Sequence, residues 1–205
     1  MPRKALFTKE EIIAKALDLV RKKGQGALTA RELGAALGSS SRPIFTVFKN
    51  MDEVNAEVKL AAQQLFSDYV ADINNYIPAF KEFGMRLFRF AQEERHLFRY
   101  LFFQKNSVTD GINFVNKELL SDIKNSYELS DEQTTTLFRQ MWIFICGMAV
   151  LSIAEPKNYT YSQVSEMLTF QFISTMRTIK SGEPIPNIEP HLRNEGETLI
   201  LPLNQ

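Results

Sequence analysis

The sequence has few of the residue types on which disulfide, metal and catalytic sites depend. Cys146 is its single cysteine, so an internal disulfide is impossible and nothing indicates an oxidising compartment. Neither of the two histidines, His96 and His191, has a second ligand at metal-site spacing. A Gly-rich phosphate loop, an HExxH motif and a Ser-His-Asp order are also missing. We therefore expect no enzyme, no metal site and no cofactor.

Long hydrophobic runs are missing too. The N-terminus has no apolar signal-peptide segment. The longest apolar run, from Trp142 to Ile153, is interrupted by Gly147 and Ser152 and is too short to cross a bilayer. Strand-like alternation and repeats do not occur before residue 181. These absences predict an all-α, soluble protein of the cytoplasm with no membrane partner.

The net charge is zero, but the charges are unevenly distributed. Residues 1–50 carry ten Lys/Arg and four Asp/Glu, a net charge of +6, while residues 51–205 carry fourteen and twenty, a net charge of −6. A basic N-terminal part on an acidic remainder is typical of a phosphate-binding module attached to a body that does not bind DNA. Taken alone, chance clustering on solvated helix faces explains the asymmetry equally well.

A short capped helix is predicted at residues 29–37. Thr29 can cap it, and Glu32 three residues later completes a capping-box pattern. Leu33 and Leu37 lie four residues apart on one face, and Gly38 is the residue type that ends a helix in a left-handed conformation.

A second short helix is predicted from Ser40 to Phe48, directly after this turn. Ser40 can cap it, Pro43 is tolerated in a first turn, and Ile44 and Phe48 face inward. Two such helices form a helix-turn-helix, whose second helix enters the major groove. The candidate DNA-binding residues are Thr29, Ser39, Ser40, Ser41, Arg42, Pro43, Phe45, Thr46 and Lys49.

Several of these residues have two possible roles. Arg42 can pair bidentately with guanine or contact a phosphate that only positions the protein. Ser40 can contact DNA or serve as a cap. Thr29 can cap its helix and also lie at a phosphate site, because N–H groups at a helix N-terminus are unpaired.

Further helices follow from capping boxes and apolar spacing. Boxes at Thr8/Glu11, Ser130/Gln133 and Thr160/Gln163 begin three of them. The predicted helices cover residues 8–23, 50–77, 80–91, 97–102, 112–123, 130–153 and 160–179. The basic residues 21–23 in the last turn of the first helix favour its dipole, with phosphate contact as the alternative. The Pro-containing tail, residues 182–205, is not expected to be helical.

These features resemble the TetR family of bacterial transcriptional regulators, most clearly over residues 8–60. The family's three-helix module and connecting fourth helix correspond to the first helices predicted above. Its signature is met at Gly38, Ser40, Ile44, Phe45 and Phe48, with Phe45 in place of the usual Tyr. The chain also departs from the family at Pro43, Val47 and Met51, where Thr, His and Lys are usual or frequent. Phe45 has no hydroxyl to donate to a phosphate, and Lys49 can replace the cation missing at Met51.

The resemblance implies a helix-turn-helix domain at residues 1–50 and a helical domain for effector binding and dimerisation at residues 51–181. The segment that starts at Trp142 resembles one on the next-to-last long helix of many relatives, with Cys146 where His is frequent. The implied dimer interface, a four-helix bundle formed by the last two helices and their mates, contains Gly147, Val150, Leu151, Met167, Phe170 and Ile173.

The chain has sixteen Phe residues, ten of them between residues 80 and 144, where any single one is expected to belong to the core. As a group, together with Met, they can line a cavity for a small apolar or aromatic effector. The candidate pocket residues are Phe83, Met85, Phe90, Phe98, Phe102, Phe114, Phe138, Met141 and Trp142.

The sequence therefore predicts a DNA-binding transcriptional regulator, a ligand-responsive repressor that binds a palindromic operator in double-stranded DNA as a homodimer. The alternative is a helical effector-binding or protein-interaction module whose N-terminal part does not read DNA. The salt dependence of binding distinguishes the two.

Overall fold

A computed structural model describes residues 6–103, 117–154 and 159–183, and these residues form an all-helical fold without strands. The all-α prediction is confirmed for this part of the chain. The α-helices are α1 (Lys9–Lys23), α2 (Ala30–Ala36), α3 (Met51–Tyr69), α4 (Ala79–Glu93), α5 (Arg95–Phe102), α6 (Lys117–Tyr127), α7 (Asp131–Ala154) and α8 (Tyr161–Ser181). Three short 3-10 turns lie at Gln25–Ala27, Ile44–Thr46 and Ile73–Asn75. We call residues 6–50 the head and the described residues from 51 onward the body.

Reciprocal capping boxes begin three of the helices, as predicted. In α1 the Thr8 hydroxyl accepts from the Glu11 N–H, and the Glu11 carboxylate accepts from the Thr8 N–H. The same pair of bonds joins Ser130 to Gln133 before α7 and Thr160 to Gln163 before α8. Each box satisfies N–H groups that a helix start would otherwise leave unpaired, so these three starts follow from local sequence.

The box predicted at α2 is only half formed. The Thr29 hydroxyl accepts from the Glu32 N–H at 3.2 Å, but the Thr29 N–H donates to the Ala27 carbonyl instead of to Glu32. The Glu32 carboxylate pairs with Lys23, 3.2 Å away. A tertiary ion pair has therefore replaced the local return bond of the box.

Helix α3 ends earlier than the sequence predicted, at Tyr69 rather than near Ile77. The Arg86 guanidinium donates to the Tyr69 carbonyl at 2.9 Å, so a tertiary bond satisfies a carbonyl that the helix end leaves free. Ile73 is buried in the 3-10 turn that follows, while Ile77 is fully exposed. The apolar spacing beyond Tyr69 was misread as a continuation of the helix.

Three other predictions fall partly on residues outside the described ranges. The helix predicted at residues 112–123 is described only from Lys117, and it continues to Tyr127. The tail beyond Glu183 lies outside the described residues, as does the predicted pocket residue Phe114.

Helix α4 is the central element of the body. It packs against α5, α6, α7 and α8, and nine of its fifteen residues are buried. Rings from neighbouring helices meet edge to face around it, with Phe66 of α3 at 5.0 Å from Phe90 and 5.2 Å from Phe102. Such ring pairs add stability beyond the apolar area they bury. The aromatic residues of the sequence therefore form mainly a core.

Helix α1 joins the head to the body. It packs against α3 and α5 as well as α2. The Arg21 guanidinium pairs through two nitrogens with the Glu94 carboxylate, at the junction of α4 and α5. This pairing raises the pKa of Arg21. On the other side of α1, the Lys9 ammonium lies 2.5 Å from the Glu57 carboxylate of α3.

Helix α7 is the most apolar helix of the described residues. By length and composition alone its 24 residues suffice to cross a membrane, although the apolar run from Trp142 to Ile153 by itself is too short. In the fold, 44% of its most apolar stretch is buried inside the protein. One side of α7 thus belongs to the core, and the other presents apolar side chains on the surface.

Candidate nucleic-acid interface and ligand cavity

The turn after α2 holds the candidate DNA-binding segment through backbone contacts. Gly38 has a left-handed φ of +68°. The Ser39 N–H donates to the Gly34 carbonyl at 2.9 Å, and the Gly38 N–H donates to the Ala35 carbonyl at 3.0 Å. These two bonds form a Schellman motif, which satisfies the last carbonyls of α2 and fixes the direction in which the chain leaves.

Gly34, inside α2, allows this segment to lie directly on the helix. A Cβ built on Gly34 would come within 2.8 Å of the Ser40 carbonyl carbon and of the Ser41 nitrogen. Both are backbone atoms, so no side-chain rotation could make room. The sequence analysis did not identify Gly34, although a glycine within a short predicted helix is a signal for such a close approach.

The second helix of the predicted unit, Ser40–Phe48, is not an α-helix in the structure. The segment is a 3-10 turn, Ile44–Thr46, between ordinary turns, with one i→i+4 bond from the Phe48 N–H to the Ile44 carbonyl at 2.9 Å. Pro43 has no N–H for an α-helical bond, and the Thr46 hydroxyl donates to the Pro43 carbonyl at 2.6 Å. The Ser40 hydroxyl accepts from the Arg42 N–H at 3.4 Å, a local bond that precedes the 3-10 turn, so the predicted cap at Ser40 is wrong: the turn begins after Pro43 without a side-chain cap.

The predicted division between inward and outward residues of this segment is observed. Ile44 and Phe48 are buried, and the Lys9 ammonium lies over the Phe48 ring at 5.9 Å from its centre. The candidate DNA-binding residues Thr29, Ser40, Arg42, Phe45, Thr46 and Lys49 are exposed, whereas Ser39, Ser41 and Pro43 are half-buried. Two anchored apolar side chains thus hold a surface of polar, basic and aromatic groups.

Arg42 is a cation of this surface that has no protein partner among the described residues. Its guanidinium makes no hydrogen bond or ion pair with any residue in the described ranges, so it is free to contact a phosphate or a base edge. Arg31, in the first turn of α2 and also exposed, is a second candidate, which the sequence analysis missed. Thr29 and the Gly38 turn lie at opposite ends of α2.

The basic residues at the end of α1 are engaged elsewhere. Arg21 pairs with Glu94, Lys22 with Asp18, and Lys23 with Glu32. All three therefore hold protein contacts, and the candidate interface rests on residues of the α2 turn instead.

The body contains an apolar cavity of about 90 Å³ between α4, α6, α7 and α8. Four of the nine predicted pocket residues line it: Phe83, Phe138, Met141 and Trp142. The remaining wall includes Pro78, Phe80, Lys81, Gly84, Tyr127, Ile145, Leu168, Thr169 and Phe172. Six of these thirteen residues are aromatic.

Four other predicted pocket residues do not line this cavity. Met85, Phe90 and Phe102 are buried in the core, and Phe98 borders a separate cleft beside Gly24 and His96. Helical periodicity identified these residues as inward-facing, but it could not show which inward-facing residues meet closely and which leave a gap.

The outer faces of α7 and α8 expose the six predicted interface residues. Val150, Leu151, Met167 and Ile173 are between 38% and 50% exposed, Phe170 is 75% exposed, and Gly147 is exposed as well. Ile143 is also exposed, and a shallow groove containing Phe144 and Phe170 joins the two helices. We call this surface the α7–α8 face. Exposed apolar surfaces of this kind mark interaction sites.

Cys146 is on the inner side of α7, where burial raises the pKa of its thiol to about 12. In the described ranges, no group of three or more His, Cys, Asp and Glu side chains lies close enough to hold a metal ion. No model of a known protein family and no curated protein sequence matches the chain. The function must therefore be argued from the geometry of these surfaces.

Proposed function

We propose that this protein is a DNA-binding transcriptional regulator that binds a palindromic operator as a homodimer and is released by a small ligand. One observation carries the proposal. The segment 39–49 presents Arg42, Thr46 and Lys49 on a surface that the buried Ile44 and Phe48 hold in place. This arrangement, within the basic part of the sequence and after a short capped helix, supports the TetR-like helix-turn-helix suggested by the sequence features.

A short segment that projects from the head is sufficient for contact with base edges, even though it is not an α-helix. Base contacts in a helix-turn-helix come from the N-terminal part of the second element, where a few side chains meet the base edges. Here those positions are held by the 3-10 turn, and an unpaired guanidinium at Arg42 suits guanine in the major groove. The element is short because Pro43 and the serines before it favour turns over α-helix.

The α7–α8 face supports a dimer of the four-helix-bundle type. A two-fold axis would pair each copy of the face with itself and bury side chains such as Phe170, which are exposed in the single chain. Two heads held at a fixed spacing would then match the two half-sites of a palindrome.

The cavity supports a ligand response. The α7 and α8 residues that line it, such as Trp142 and Leu168, are on the same helices as the α7–α8 face. A ligand that binds one arrangement of these helices more tightly shifts the dimer towards it and alters the spacing of the heads. The ion pair between Arg21 and Glu94 joins the head to the body and can transmit this shift.

The test of DNA binding begins with selection from a random duplex library. Fluorescence anisotropy on the selected duplex and on a scrambled duplex then gives affinity and selectivity across a salt series. We expect selective binding with a steep salt slope, about −0.9 in log K against log salt for each phosphate neutralised. Failure to enrich any sequence, together with a flat salt dependence, would refute the proposal.

A variant of Arg42 tests whether the candidate interface is the surface that binds the selected duplex. Arg42→Ala should weaken binding to the selected duplex by about 1–3 kcal/mol if Arg42 reads a base. Arg95→Ala is the matched control, because it also removes one exposed guanidinium that has no ion pair in the described ranges, but it lies on α5, in the body. Equal losses in both variants would mean that only net charge matters and would remove Arg42 from the interface.

A second candidate function is recognition of a protein by the head. Phe45, whose side chain is 45% exposed next to Arg42, favours it, because aromatic and Arg residues are enriched in protein interfaces. Binding to a protein partner without enrichment of any DNA sequence would establish this alternative.

A further inference from the structure

We propose that the cavity takes a ligand with an apolar ring and an anionic group, and that Lys81 pairs with the anion. The inference rests on the proposed function, since it names the chemical class of the ligand that acts on the regulator. The cavity wall, the surroundings of Lys81 and the distribution of charge on the two sides of the cavity support it.

The wall selects an apolar ring. Trp142 is approximately parallel to Phe138 and to Phe83, with ring centres 6.0 and 6.4 Å away. Phe172 closes another side, 5.7 Å from Phe80. An engineered apolar cavity of ~150 Å³ binds benzene, so a cavity of about 90 Å³ can accept one ring when neighbouring side chains move slightly. Met141 is suited to this movement because its side chain adapts its shape.

Lys81 supplies the charge. Lys81 and Thr169 both line the cavity, and the Lys81 ammonium donates to the Thr169 hydroxyl, 2.9 Å away, which is its hydrogen-bond partner among the described residues. That hydroxyl donates its own proton to the Ser165 carbonyl at 2.8 Å, so it accepts from Lys81. In the described ranges no carboxylate lies within ion-pairing distance of the ammonium.

The nearest acid along the helix is already engaged. Glu82 pairs with Arg86 at 2.8 Å. Lys81 is therefore a half-buried cation beside an apolar wall with a neutral partner. A carboxylate in the cavity mouth would give it a charge-assisted hydrogen bond, which is stronger than a bond between neutral groups.

The opposite side of the cavity carries negative charge. Pro78, Phe80 and Tyr127 line both the cavity and an adjoining groove, and Glu118 and Asp122 line the groove but not the cavity. An anionic ligand is repelled from that side, so its charged end is directed towards Lys81. A cationic ligand would bind in the reverse orientation, but its charge would have to extend past Tyr127 to reach Asp122.

Trp142 makes this inference measurable, because it is the only tryptophan in the sequence and lines the cavity. We would titrate the full-length protein with phenylpropionate, phenylpropanol and phenylpropylamine and follow Trp fluorescence. The three probes share a ring and a chain and differ in the charge of the end group. We expect phenylpropionate to bind about 5- to 10-fold more tightly than the alcohol, and the amine most weakly.

Two variants of Lys81 test whether its charge causes the preference for the acid. Lys81→Met removes the charge and keeps the length of the side chain, so it should bind the acid and the alcohol equally within about twofold. Lys81→Arg keeps the charge and should keep the preference for the acid. The alcohol is the internal control, because unchanged affinity for it shows that the cavity of each variant is intact.

Three results would overturn the proposal. If the amine binds most tightly of the three probes, the charged group of the ligand pairs with Asp122 rather than with Lys81. If the Lys81→Met variant still prefers the acid to the alcohol, Lys81 is not the group that binds the anion. No fluorescence response to any of the three probes would mean that the cavity does not bind this class of ligand.

The titration contains no DNA, so its failure is distinguishable from failure of the proposed regulator. If phenylpropionate binds but no duplex is selected, the ligand site stands and the regulator is refuted. If a duplex is selected but Trp142 does not respond, the regulator stands and the ligand class is refuted.

Discussion

The head and the body position their side chains by different means. In the head, α2 and the segment that follows it are in contact through backbone atoms, and the buried groups at the turn are few, chiefly Leu33, Ile44 and Phe48. In the body, long helices meet through aromatic rings, and a cavity remains between them. The geometry of the head therefore depends on individual backbone atoms, and that of the body on side-chain volume.

Two buried helical glycines illustrate this difference. A Cβ on Gly34 in the head would come within 2.8 Å of backbone atoms of the next segment. A Cβ on Gly84 in the body would meet the tip of the Leu168 side chain at 3.3 Å. Backbone atoms cannot yield without moving the candidate interface, whereas a side-chain tip next to a cavity can rotate away. We therefore expect the head to be sensitive to added atoms and the body to tolerate them.

The candidate interface of the head is polar and basic, whereas the α7–α8 face of the body is apolar. We expect the largest effect, on both dimerisation and operator affinity, from a charge placed on the α7–α8 face. Phe170→Asp introduces a charge at the most exposed residue of the predicted interface and should convert a dimer into a monomer. Loss of bivalent contact should lower operator affinity by about 100-fold or more. Sedimentation velocity and anisotropy measure the two effects.

Leu60→Asp is the control for this variant. Leu60 is also an exposed apolar residue, but it lies on α3, away from the α7–α8 face. It should leave the dimer intact. A wild-type protein that is monomeric at the concentrations at which it binds DNA, or one that binds lipid vesicles through this face, would contradict the proposed dimer.

The next effect tests the backbone contact in the head. Gly34→Ala should destabilise the protein by about 1–3 kcal/mol, because an overpacked site forces the backbone to shift. It should also weaken operator binding, since the displaced residues lead directly to Arg42. Denaturant unfolding and anisotropy measure these changes.

The matched substitution in the body is Gly84→Ala. It should be neutral or stabilise the protein by up to about 1 kcal/mol, because alanine favours a helix interior over glycine. Equal destabilisation by the two substitutions would break the comparison between head and body.

The smallest effect concerns the connection between the two regions. A double-mutant cycle of Arg21→Ala and Glu94→Ala should give a coupling of about 0.5–1 kcal/mol in unfolding, since the pair is bidentate but partly exposed. The pair Asp18 and Lys22, within α1, is the control and should couple more weakly, because both side chains are more exposed to solvent. Strict additivity of the Arg21 and Glu94 substitutions would show that the pair does not hold the head to the body.

Local signals in the sequence predicted helix starts better than helix ends. The capping boxes at Thr8, Ser130 and Thr160 were found as predicted, because their bonds join residues three apart and need no tertiary partner. The end of α3 was wrong because Arg86, a residue of another helix, satisfies the Tyr69 carbonyl. The α-helix predicted at 40–48 was wrong because the periodicity of Ile44 and Phe48 fits a tight turn equally well.

The sequence by itself determined the all-helical fold, most of the helices and the burial of the apolar stripes, because these depend on spacing and on contacts between near neighbours. It also indicated the inward face at Ile44 and Phe48. Only the tertiary structure decided that Gly34 touches the next segment, that Arg21 at the end of α1 is ion-paired with Glu94, and that Lys81 lines a cavity. These features join residues far apart in the chain or depend on packing in three dimensions, and periodicity carries no information about either.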